Sequence, residues 1–179
     1  SSMEAGTISL YDQGTSFSNE ADISMGYLVV QEGASAVNYG TITDSTPNVD
    51  WDWSLSDEEN FAAMENADNL LEVISKGSFT NYGTIDSVTT VLDGEFIAQE
   101  NSSMGDLCLG KWYEDNVDTM STLKVNGSVS MTGLLESYSY SEIIFTMDAT
   151  IDMQGNGILF DGGKIVLLYD FESCVWLPD

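Results

Sequence analysis

An all-β chain wound as a parallel β-helix (a solenoid) is the fold this sequence predicts, and three observations predict it. The pentapeptide Asn38-Tyr39-Gly40-Thr41-Ile42 recurs unchanged as Asn81-Tyr82-Gly83-Thr84-Ile85. A looser copy precedes both, because Gly14 and Gly33, Ser16 and Ser35, Asn19 and Asn38, and Ile23 and Ile42 each stand 19 residues apart. The surrounding segments are short runs rich in Thr, Ser, Val and Ile, punctuated by Gly, Asn and Asp. Self-similarity near 20 residues marks a solenoid, in which one coil cannot bury its own apolar face and stacks on the next. The alternative is an antiparallel β-sandwich, since Asn-x-Gly also suits hairpin turns.

The elements follow in order. Strands are expected at 6–10, 24–30 and 84–91, and again at 94–98, 122–125, 128–131, 143–147, 149–153 and 164–169. One stretch departs from this. Ser56 to Glu59 reads as a capping box. Phe61, Met64, Ala67, Leu71 and Ile74 follow at helical spacing. Lys76 and Gly77 supply a C-terminal signal. The spacing therefore predicts one inserted amphipathic helix over 57–76, within an insertion at about 44–76 of a single domain spanning 1–179. The two exact repeats lie 43 residues apart against 19 for one coil, and such an insertion accounts for the excess.

Parallel stacking sets each strand against its equivalent one coil away. Ile23, Ile42 and Ile85 are expected to form an inward ladder. Asn19, Asn38 and Asn81 are expected to form a second at the turn, bonded amide to amide. Gly40 and Gly83 are expected where no side chain fits or where φ is positive.

Composition narrows function. The 179 residues carry 30 acidic side chains against four lysines, with no histidine and a formal net charge of -26. Such a field repels nucleic acid and anionic lipid, leaving cations, basic protein surfaces or water as neighbours. No run of 18 apolar residues occurs, so no membrane insertion is expected. Without histidine, Ser-His-Asp and Cys-His catalysis are excluded. Without arginine there is no bidentate clamp for phosphate or carboxylate. Cys108 and Cys174 lie 66 residues apart and fit either one disulfide or two buried thiols.

The run Gly77-Ser78-Phe79-Thr80-Asn81-Tyr82-Gly83-Thr84-Ile85 resembles the repeats of bacterial autotransporter passenger domains and filamentous-haemagglutinin-like adhesins. The resemblance covers 6–42 and 77–104 and is faint from 105 onward. It implies a right-handed parallel β-helix displayed on the bacterial cell surface or otherwise extracellular, with a host-cell protein or glycan as partner.

Acidic residues cluster with aromatics or glycines at two places. Asp50-Trp51-Asp52-Trp53 sets two aromatic rings between carboxylates, a composition suited to sugar stacking or a protein contact; these four residues are the expected binding region. Asp50, Asp52 and Ser54 stand at calcium-loop spacing, but Leu55 and Phe61 occupy the positions that need Gly and Glu. Gly155-Asn156-Gly157 and Asp161-Gly162-Gly163 echo calcium-binding repeats out of register. No catalytic residue, metal ligand or cofactor is assigned; low-affinity Ca2+ is the one cation expectation. The function expected is non-enzymatic adhesion or partner binding. The alternatives are an acidic decoy that mimics nucleic acid to bind a basic partner, and a glycan hydrolase with paired carboxylates.

Overall fold

The computed structural model describes residues 3–45, 56, 71–110 and 120–168. Every regular element among them is a strand, and every strand pairing is parallel. Three faces repeat. The first is built by the leading half of β3 (Asp22–Val30), then β5 (Thr41–Asp44), β8 (Thr84–Asp86), β11 (Ser103–Met104), β14 (Ser128–Met131) and β17 (Thr150–Asp152). The second is built by the trailing half of β3, then β6 (Leu71–Ile74), β9 (Thr89–Leu92), β12 (Leu107–Leu109), β15 (Leu135–Ser137) and β18 (Ile158–Phe160). β1 (Met3–Leu10) pairs along β3, so the uninterrupted β1 and β3 join these two faces at one end of the stack. The third face runs β2 (Ser16–Asn19), β4 (Ser35–Asn38), β7 (Ser78–Asn81), β10 (Glu95–Ala98), β13 (Ser121–Val125), β16 (Ser141–Phe145) and β19 (Lys164–Leu167). This is a parallel β-helix whose stacking reaches well beyond residue 105.

Alternation along the short strands decides what points inward. On the first face Ile23, Ile42, Ile85, Met104 and Met131 stand rung on rung, none more than 3% exposed. The second face sets Leu28, Leu71, Thr89, Leu107 and Leu135 in register. The third sets Ala36, Phe79, Phe96, Leu123 and Ile143, with the Phe79 and Phe96 rings stacked at 5.4 Å. Burying each large side chain of this kind stabilises by about 1.5–3 kcal/mol, and the core is the sum of such rungs.

The turn from the third face to the first holds the amide ladder. Asn19 Nδ2 donates to Asn38 Oδ1 at 2.8 Å, and Asn38 Nδ2 donates to Asn81 Oδ1 at 2.9 Å. Asn38 Nδ2 also reaches the Gly40 and Thr84 carbonyls, both at 3.1 Å. Each buried carboxamide thus finds partners in its neighbouring rung and in nearby backbone carbonyls, which is why buried Asn is tolerated there. Gly40 and Gly83 each sit two residues later. A Cβ on Gly83 would overlap the Gly40 carbonyl, and one on Gly40 the Ala21 carbonyl. Close approach of successive corners, not positive φ, fixes these two glycines.

The predicted helix needs correction. Residues 57–70 lie outside the described residues, but Leu71–Ile74 is strand β6, and no helix occurs among the described residues. Leu71 and Val73 are fully buried at strand spacing, overriding the helical spacing of Leu71 and Ile74. Ser75 and Lys76 adopt positive φ and turn the chain into β7, with the Gly77 N–H donating to the Ile74 carbonyl at 2.8 Å. Lys76 and Gly77 therefore mark a turn between faces rather than a helix end. A second long connection, which the repeat spacing does not signal, joins β12 to β13.

Candidate functional site

At the corner between the first and second faces the turns shrink to a few residues: Ser87-Val88, Gly105-Asp106 and then 132–134. Asp44 and Asp86 end successive first-face strands there. A groove of about 250 Å³ runs along this corner, lined by Asp44, Asp86, Val88, Asp106, Thr132 and Gly133 among others. Asp106 Oδ1 accepts the Leu134 N–H at 2.6 Å, and Thr132 Oγ1 donates to the Met104 carbonyl at 3.3 Å. A Cβ on Gly133 would come within 2.5 Å of the Asp106 amide nitrogen, so glycine lets that carboxylate lie over the next turn. The groove is acidic and concave, and it suits cationic groups or hydroxyl donors.

The chain leaves this corner after Ser45 and returns to it at Leu71. Asp50, Trp51, Asp52 and Trp53 fall on that connection and lie outside the described residues, as do Trp112, Tyr113, Cys174 and Trp176. Gly155-Asn156-Gly157 and Asp161-Gly162-Gly163 are not brought together: β18 separates them, and they turn the two different corners at its ends.

The exact repeat also stacks its tyrosines, which the pattern of Asn, Gly and Ile alone does not foretell. Tyr39 and Tyr82 stack at 4.9 Å with 13° between their planes, and they remain 54% and 44% exposed. The buried Asn38 and Asn81 immediately before them anchor the pair, and Gln99 and Asn126 extend the same column, bonded amide to amide at 3.3 Å. The signal was present, since both tyrosines occupy one position of an identical pentapeptide.

Cys108 points outward on the second face beside Glu136, whose carboxylate also accepts the Tyr138 hydroxyl at 3.2 Å. Cys108 is a free thiol, and Cys174, the other cysteine of the chain, lies outside the described residues. Burial first, and the Glu136 charge second, push this thiol up to about 11 from an ordinary 9.0. It therefore stays protonated at neutral pH and supplies no thiolate nucleophile. The folded value is the raised one, so any stability it lends is complete below about 9 and fades as pH climbs toward 11. In a Cys174→Ser chain, iodoacetamide alkylation of folded Cys108 is expected to be slow at pH 8 and still rising at pH 10. A rate that levels off by pH 9 contradicts the assignment.

Comparison with known proteins adds no family: no family model, no curated protein and no solved structure matches this chain.

Proposed function

We propose that this chain is a non-enzymatic β-solenoid module, displayed on a bacterial cell surface or secreted. In this reading it binds a host-cell protein or glycan through the connection that carries Asp50, Trp51, Asp52 and Trp53 and through the acidic groove beside it. One observation carries the proposal. The stack absorbs a 43-residue step between coils without losing register, since Asn38 pairs with Asn81 and Ile42 with Ile85 across it. A connection that costs the scaffold nothing is free to vary for contact, as loops on rigid scaffolds do. The acidic surface favours hydroxyl-rich or basic partners over anionic ones.

The test replaces residues 46–70 with a two-residue turn copied from Ser87-Val88 and compares both chains on a glycan array and in host-cell pull-downs. Binding is expected to vanish while the β-rich circular dichroism persists. Binding that survives the replacement sinks the contact region. Capture of basic nucleic-acid-binding proteins that collapses as salt is raised would instead favour the decoy reading.

A further inference from the structure

The amide ladder stops after three rungs, and the stopping place is incompletely satisfied. The position after Asn81 in the column is Ala98, which is fully buried. Asn81 Nδ2 donates to the Ser103 carbonyl at 3.1 Å, as Asn38 Nδ2 donates to that of Thr84 one coil earlier. Asn38, however, spends its amide on a further rung, Asn81 Oδ1, and alanine offers Asn81 no such acceptor. The corner is also two residues longer here. Asn81 precedes β8 by three positions, whereas Ala98 precedes β11 by five, with Asn101 at positive φ to accommodate the extra length. The residue in register with Gly83 is thereby Ser102, fully buried, and its hydroxyl has no hydrogen-bond partner among the described residues. The carbonyl that the Asn81 amide reaches belongs to Ser103, the residue next to Ser102, so this amide and the orphan hydroxyl belong to one corner, where alanine stands in place of a fourth carboxamide.

We propose that one internal water occupies this corner as the fourth rung of the ladder, accepting from Asn81 Nδ2 and bonded to Ser102 Oγ. Water fits the chemistry. It accepts from the amide, it serves a hydroxyl in either sense, and it takes the volume by which alanine falls short of asparagine. A cation does not fit, because the amide presents a donor to it.

Ser102→Ala discriminates. If the hydroxyl holds a water, its removal leaves that water and Asn81 one partner short, and the thermal midpoint is expected to fall by roughly 2–4 °C. If the hydroxyl is unpaired, its removal relieves a buried orphan and the midpoint holds or rises, which overturns the proposal. A crystal structure of the full chain at a resolution that shows ordered water provides the second measurement. Density within hydrogen-bond distance of both Asn81 Nδ2 and Ser102 Oγ is expected; a corner that is filled by a shifted side chain, or is dry, overturns it.

Discussion

Replacing Phe79 by alanine is expected to cost this chain about 3–5 kcal/mol, the range for a buried aromatic whose cavity cannot close. Phe79 is fully buried, its ring stacks on Phe96 in the next coil, and Ala36 lies in register in the coil before. Neither neighbour can fill the space. Ala36 carries only a methyl group, which cannot reach into the space, and Phe96 is held by Leu123 beyond it. Urea unfolding of Phe79→Ala should show a lower midpoint with the slope unchanged. Tyr39→Ala is the matched control: it also deletes one ring of a stacked pair, but an exposed one, and should cost no more than about 1.5 kcal/mol. Equal losses from the two substitutions would contradict the placement of Phe79 as an inward rung.

Asn38→Ala is the second large effect, at roughly 2–4 kcal/mol, because several net hydrogen bonds are lost and buried partners are left short. Asn38 is the middle rung. Its Oδ1 accepts from Asn19, and its Nδ2 serves Asn81 Oδ1 and two backbone carbonyls. Some partners keep other bonds, since Asn19 Nδ2 still reaches the Ala21 carbonyl and Gly83 N–H still donates to Asn81 Oδ1, so the loss falls short of a simple sum. Asn126→Ala removes a half-buried amide whose side chain bonds Gln99 at 3.3 Å, and it should cost well under 1.5 kcal/mol. If thermal or urea unfolding ranks the two substitutions together, the ladder is not holding the corner.

The architecture was legible because the repeat carried it. An identical pentapeptide names an inward isoleucine, a corner asparagine and a glycine that admits no Cβ, and each is found in that role. Later coils were harder to read. Met104 and Met131 replace isoleucine in the inward ladder, and Ala98, Val125 and Phe145 replace asparagine at the corner. Burial preserves apolar character there but not residue identity. The helix failed at Leu71–Ile74 because four residues satisfy both periodicities, and stacking between β3 and β9 decides for the strand. The acidic groove was invisible for another reason. Asp44 and Asp86 are one register step out of alignment, Thr43 being the partner of Asp86, so the repeat does not set them side by side. The expected binding residues rest on composition alone, and composition fixes no geometry.

The central claim is that residues 43 apart in sequence are neighbours in a parallel stack. Thr41 and Thr84 point outward as register partners, and Ser103 is the next rung. Adjacent strands lie about 4.8 Å apart, within disulfide reach, and alternate strands at about twice that are not. In a Cys108→Ser, Cys174→Ser chain, oxidation should cross-link Thr41→Cys with Thr84→Cys and leave Thr41→Cys with Ser103→Cys open. A folded chain in which the first pair stays reduced, or in which the second pair closes as readily, contradicts the stack.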